Sequence, residues 1–345
     1  MSGDSVRIDL GAYLAGVPDE VEARLRGAGN ALTICHENPE ADALGAALAV
    51  ALLVESGGGS ATPVCVDGVP EVYRFLPGTE RFCTEPDPDV SYDLVVVVDC
   101  GELERVGPVR ETHAALFEGT PMLVIDHHLS NVGFGAVDWV DPGSSATCEM
   151  LTLLAWKMGV PLDWGDGMLA SALAAGVIMD TGNFAHPNVT PRTLVVAAAL
   201  REAGADLSEI ARRLYRLKPV SQLVLFGRVL SRLRSEAEGR VVYSTLEDAD
   251  LAAAGADQAE SEGLVDMLTQ ARGAEVAILF KEGPNGTTRV SVRTREGGVD
   301  ATVLTAAFGG GGHARAAGAT VAEPLAKACP AVLARATELT SRVER

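Results

Sequence analysis

Four segments of this chain place cation-binding and proton-carrying residue types at the ends of apolar runs. His36, Glu40 and Asp42 follow ALTIC in the stretch HENPEAD; Asp99 ends LVVVVD; Asp126, His127 and His128 end VIDHH; and Asp180 closes an apolar helical stretch before TGNF. An acid at the end of a buried apolar strand is costly unless it is paired or bound to a metal. Each segment alone has an ordinary explanation. Acids cap helix N-termini and complement their dipoles, adjacent histidines form polar turns, and Asp-Thr-Gly can end a helix. Together they supply two histidines and four carboxylates from four separate segments. That donor set suits Mn²⁺ or Mg²⁺ better than a thiolate-preferring metal. One carboxylate shared between two ions is the arrangement that activates water for in-line attack on phosphorus.

A fifth segment, read as the loop Gly309–His313 within FGGGGHARAAGA, lets backbone N–H groups approach an anion closely, with His313 and Arg315 adding charge. Upstream, strand alternation puts Arg289, Ser291 and Arg293 on the face opposite Val290 and Val292. Those side chains either line a phosphate pocket or face water. His113 lies in a polar helix and is read as exposed.

The elements that must position these residues alternate between strand and helix in the first half. Strands are expected at Leu32–Cys35, Pro63–Val66, Leu94–Asp99 and Met122–Asp126, and Leu44, Leu48 and Leu52 recur at helical spacing between the first two. The β-branched run before Asp99 reads as a strand covered on both faces of a parallel sheet. The pattern is that of an open α/β domain, in which ligands bind outside the carboxyl ends of strands. From about Ser144 to Arg234 the sequence is mostly helical. A second α/β unit opens after Gly239, with strands at Val241–Thr245, Glu275–Phe280 and Thr288–Thr294. The expected division is a domain over 1–220, a helical linker over 221–238 and a smaller domain over 239–345.

Composition narrows the partners. Twenty-eight basic against 47 acidic residues give a net charge of −19, which disfavours binding long duplex nucleic acid by counterion release. Residues 210–240 run the other way, with eight basic residues against two acidic ones; a solvated helix face explains this more readily than a ligand groove. Six widely spaced cysteines without a C-x-x-C pair fit a reducing, cytoplasmic setting. The N-terminus has no signal-peptide pattern, and the longest apolar stretch, Ala43 to Val54, is too short to span a bilayer.

The ordered set HENPEAD, VVVVDCG, VIDHH and VIMDTGNF resembles motifs one to four of the DHH phosphoesterases, and VSVRT followed by FGGGGHARAAGA resembles their DHHA1 substrate-binding domain. The likeness runs from about residue 28 to 320 and looks like the nanoRNase/pAp-phosphatase branch. It implies an N-terminal DHH domain with a mostly parallel sheet flanked by helices, and a smaller C-terminal α/β DHHA1 domain. It also implies two Mn²⁺ ions, one held by His36, Glu40 and Asp99 and one by Asp42, Asp99, His127 and Asp180, with Mg²⁺ as the alternative metal. Asp99, Asp126 and His128 would serve catalysis, with His128 meeting the scissile phosphate or the leaving group. Arg293, Gly310, Gly311, Gly312, His313 and Arg315 would hold a substrate phosphate. The implied activity is hydrolysis of short oligoribonucleotides, linear or cyclic dinucleotides, or pAp to nucleoside 5′-monophosphates. Relatives of this kind are often homodimers. The competing readings are a nucleotide-binding sensor without catalysis and a manganese inorganic pyrophosphatase. Two departures stand out: Glu40 where the family usually has Asp, and Ala185–His186 where it usually has a basic residue and an aromatic.

Overall fold

The computed structural model describes residues 9–295 and 297–342. The chain divides into two compact units between Leu217 and Lys218.

In the first unit, β1 (Asn30–Ile34), β2 (Ser60–Val64), β3 (Leu94–Val98), β4 (Met122–Asp126) and β5 (Val137–Val140) form a sheet in the order β2-β1-β3-β4-β5. Every pairing in it is parallel. All residues of β3 and β4 are buried, as continuous apolar runs require when helices cover both faces. The short β5, VDWV, was not anticipated; its alternation is too brief to stand out. The longer helices are α1 (Asp19–Gly27), α2 (Ala41–Ser56), α3 (Thr147–Lys157), α4 (Met168–Asp180) and α5 (Pro191–Glu202). Ala41 to Val54 of α2 are buried on all sides, so this helix is interior rather than amphipathic. Glycines let α4 close on it. A Cβ at Gly45 would lie 2.5 Å from the Ala172 carbonyl oxygen, and one at Gly176 would lie 2.3 Å from Asp42 Oδ1.

The second unit contains α6 (Val220–Leu230), β6 (Arg234–Glu236), β7 (Val241–Leu246), β8 (Val276–Gly283), β9 (Thr287–Thr294), α7 (Ala301–Ala306), β10 (Gly311–His313), β11 (Ala316–Val321) and α8 (Leu325–Arg342). Its sheet runs β10-β11-β9-β8-β7-β6. Only β7 and β8 pair in parallel. Along β8 and α8, Ile278, Phe280, Val332 and Ala336 share one core, and Leu225, Phe226 and Val229 of α6 share another with Leu246 and Leu279. The segment expected as a linker over 221–238 is therefore packed into the second unit, because the apolar stripe of α6 has a core to join. Of the glycine-rich segment, expected as a loop, Gly311–His313 form the edge strand β10 of a short hairpin with β11, while Gly309 and Gly310 precede it outside any strand.

Five of the eight basic residues of the stretch pair with three acids outside its own window. Arg212 and Arg213 pair with Glu209, Arg228 and Arg232 with Asp250, and Arg240 with Glu275. The six cysteines are free. Among the described residues, no helix is long and apolar enough to cross a membrane.

Candidate metal centre

The strand order reverses at β1 and β3, so a crevice opens beyond their carboxyl ends, where open α/β sheets bind ligands. His36 follows β1, Asp99 follows β3, and Asp126 to His128 end β4. Asp42 sits in the first turn of α2 and Asp180 ends α4.

These residues converge. His36, Glu40 and Asp99 form one group able to hold a cation; Asp42, His127 and Asp180 form a second; and Asp99, His127 and His128 form a third. Within each, the ligand atoms lie within 4.8 Å of one another. Asp99 joins them. Its Oδ2 is 3.8 Å from His36 Nε2, while its Oδ1 is 3.6 Å from His127 Nε2 and 3.8 Å from His128 Nδ1. Its backbone is left-handed, with φ of 53°, a conformation that Asp adopts more readily than most residues but at a cost.

The two histidines that face the carboxylates have their tautomers set from behind. His36 Nδ1 donates to the Glu37 carbonyl at 2.7 Å and His127 Nδ1 to the Ser144 carbonyl at 3.3 Å. Each ring thus turns Nε2 towards acids: His36 to Glu40 Oε1 at 3.4 Å, His127 to Asp180 Oδ2 at 3.0 Å. A neutral imidazole in this pose aims a lone pair at carboxylate oxygens, which is repulsive unless a proton or a cation lies between them. Hard oxygens plus imidazole nitrogens suit a divalent cation. The Ser144 hydroxyl, buried beside His127, has no hydrogen-bond partner among the described residues. The residues present therefore fit a metal pair.

The electrostatics describe a site short of positive charge. Burial above all, then the Asp180 charge, pushes the Asp42 carboxyl up to about 7. Asp99 is driven well above the carboxylate range by burial and then by Asp42, Glu40 and Asp180. Burial opposes protonation of His127, yet the Asp180 hydrogen bond and the Asp42 charge carry it up to about 9. Glu40 moves in the opposite direction: burial raises it, but the hydrogen bond and charge of His36 hold it at about 2. The longer Glu40 side chain thus reaches the cluster that an Asp would serve.

His128 is held differently. Its Nδ1 lies 2.7 Å from Asp126 Oδ1, and Asn131 Nδ2 donates to the other Asp126 oxygen at 2.7 Å. Asp126 is thereby committed to orienting His128, leaving the histidine's Nε2 free of both. His186, part of the second departure from the family pattern, donates Nδ1 to the Asp180 carbonyl at 3.0 Å. The Tyr215 hydroxyl donates to the Met179 carbonyl at 2.9 Å and closes the end of α4. Sequence reasoning missed Tyr215, Asn131 and the loop before α3, because each acts through a tertiary hydrogen bond rather than a motif.

The second unit arranges its candidates less tightly. Val290 and Val292 are buried and Arg289 is exposed, as alternation expects. Arg293, however, is paired with Asp266 at 2.8 Å, and Arg315 donates to the Arg295 carbonyl. Neither lines the groove of about 500 Å³ that Gly309 and Gly310 share with Lys281, Arg289 and Ser291. Lys281 and Arg289 are register partners on β8 and β9. Lys281 was missed because the strand expected there stopped at Phe280.

Residues 30–178 match the model of the DHH family N-terminal domain, and residues 238–342 match the DHHA1 domain. The bifunctional oligoribonuclease and PAP phosphatase NrnA of Thermus thermophilus is 34% identical over 287 residues, covering 83% of this chain and 82% of that protein. The protein of the same name from Bacillus subtilis is 26% identical over 307 residues, covering 83% and 87%. The crystal structure of an exopolyphosphatase-related protein from Bacteroides fragilis superposes with a TM-score of 0.83 at 22% identity, covering 95% of this chain and 96% of that one, and so shares the fold. The chain belongs to the DHH/DHHA1 family of phosphoesterases, in the nanoRNase/pAp-phosphatase branch.

Proposed function

We propose that this protein hydrolyses very short oligoribonucleotides and linear or cyclic dinucleotides to nucleoside 5′-monophosphates, and removes phosphate from pAp, with two Mn²⁺ ions. The observation that carries this reading is the placement of Asp99, one oxygen turned to His36 and the other to His127. His36, Glu40 and Asp99 would hold one ion; Asp42, Asp99, His127 and Asp180 would hold the other. When bound, the pair supplies Lewis-acid neutralisation of phosphoryl oxygens and a water acidic enough to attack phosphorus near neutral pH.

The chain's own residues do the rest. His36 and His127 present Nε2 because backbone carbonyls occupy Nδ1. His128, oriented by Asp126, donates from a protonated Nε2 to a phosphoryl oxygen or gives that proton to the leaving oxygen. In the second unit, Lys281 and Arg289 with Gly310, Gly311, Gly312 and His313 bind a substrate phosphate as cations and backbone donors. The names of the Thermus and Bacillus relatives support the short-RNA and PAP substrates.

The test compares initial rates on pAp, pApA, pGpG, cyclic di-AMP, pyrophosphate and a long RNA with Mn²⁺ present. Mononucleotide or phosphate release from the first four, with little from the long RNA, is expected. No turnover of these by metal-loaded protein would overturn the reading in favour of a sensor. Preferential turnover of pyrophosphate would replace it with a pyrophosphatase.

A further inference from the structure

Behind the cluster lies a short loop whose hydrogen bonds reach several candidate ligands. The Thr147 N–H donates to Asp42 Oδ2 at 2.7 Å and the Cys148 N–H to Asp42 Oδ1 at 2.9 Å. The Thr147 hydroxyl donates to Asp99 Oδ1 at 2.9 Å, and the Ser144 carbonyl accepts from His127. Asn188 ties the Ser145 and Asp180 carbonyls together, at 3.1 and 3.2 Å. The loop is itself anchored on Glu149, which is fully buried. Glu149 accepts from the Ser145 hydroxyl at 2.5 Å, from the Thr193 hydroxyl at 2.8 Å and from Arg192 Nε at 2.5 Å, and Arg192 also reaches Asp141.

These contacts are one-sided. They reach Asp42, His127, the Oδ1 side of Asp99 and, through Asn188, the main-chain carbonyl of Asp180, and among the described residues none goes to His36 or Glu40. His36 is steadied by the Glu37 carbonyl of its own turn, and the Glu40 side chain is 35% exposed where Asp42 is wholly buried. Outer hydrogen bonds fix ligand orientation and raise affinity for a metal, so an uneven outer shell makes uneven sites.

We infer that the loop Ser144–Cys148 is the positioning shell of one half of the cluster only, with Thr147 as its central positioning residue, and that the two halves consequently bind divalent cations unequally. The half built on Asp42, His127 and Asp180 binds first and more tightly. The half built on His36 and Glu40 exchanges more readily. This rests on the metal-centred reading above and deepens it.

The experiment titrates the chelator-stripped full chain with Mn²⁺ alone, following heat by calorimetry and free Mn²⁺ by electron paramagnetic resonance. Two classes of site are expected. Thr147→Val keeps the shape and the backbone donor but deletes the hydroxyl. It should weaken the tighter class about tenfold or more and leave the weaker class within about twofold, while Thr147→Ser restores it. Glu40→Gln should weaken only the looser class. Two indistinguishable sites in the wild type, an unaltered tight class in folded Thr147→Val, or a Glu40→Gln effect on the tight class overturns the inference. The wild-type isotherm and Glu40→Gln decide it even if Thr147→Val does not fold. Absence of any Mn²⁺ binding removes the metal-centred reading as well. Two unequal classes without hydrolysis of any substrate would overturn the proposed activity and leave this inference standing.

Discussion

The two units handle charge in opposite ways. In the first, candidate ligands are drawn out of water, crowded together and fixed from behind by backbone carbonyls, N–H groups and buried side chains. In the second, the glycine hairpin and its neighbours lie on an exposed sheet face, and two of the expected cations, Arg293 and Arg315, already have partners. Buried, over-determined groups cost stability and gain geometric precision, which chemistry needs. Exposed cations on a sheet cost little and exert modest, adaptable attraction, which suffices for holding a phosphate. The first unit is thus the part that would set turnover, and the second the part that would set substrate capture.

That contrast can be broken experimentally, beginning with the largest effect. Asp99→Asn should lower kcat about 10³-fold or more, since an acid facing both histidines loses its charge and several kcal/mol of transition-state stabilisation go with it; a variant within tenfold of wild type would show that this carboxylate is dispensable. Glu149→Ala should destabilise the first unit by about 3–5 kcal/mol, because it empties a buried site and removes the shared acceptor of Arg192 Nε, Ser145 and Thr193, leaving Arg192 with Asp141 alone. Urea unfolding that shows less than about 1 kcal/mol would deny the loop its anchor. Mn²⁺ should then raise stability by about 2.7 kcal/mol for each site at which it stands in hundredfold excess over that site's dissociation constant. Hydrogen exchange should localise that gain to β1, β3, β4 and α4, not to the second sheet; equal protection in both units would erase the distinction. Smallest are the groove variants. Lys281→Ala and Arg289→Ala should each raise KM with kcat nearly unchanged, costing about 1–2 kcal/mol in kcat/KM, and Arg293→Ala should do less because Asp266 already engages it. A fall in kcat of the same size would move the second unit from capture to chemistry.

Much of the first site was legible because β-branched runs announce buried strands and a histidine or acid at their ends is conspicuous. HENPEAD, VVVVDCG and VIDHH each carry both signals within a few residues. What escaped depends on distance along the chain. Glu149 is one acid in a helical stretch, and nothing near it reveals that Arg192 and Thr193 of a later helix meet it in the interior. Arg293 looked available since its partner Asp266 lies on another element. The basic excess over 210–240 is halved for the same reason, with Glu209, Asp250 and Glu275 all standing outside the window. The glycines of β10 read as a loop because glycine carries no strand propensity, and pairing with β11 supplies the order that composition withholds.

The left-handed backbone at Asp99 turns this position into a double filter on sequence drift. Glutamate keeps the charge but, with a longer side chain, fits that backbone poorly. Glycine suits the backbone and has nothing to offer a cation, and asparagine suits it while losing the charge. Two unrelated physical requirements therefore converge on one residue type, so neutral intermediates between this sequence and a different ligand here are scarce. A lineage that abandoned the chemistry would be expected to drift first to Asn or Gly at this residue, keeping its fold while its catalytic identity was lost.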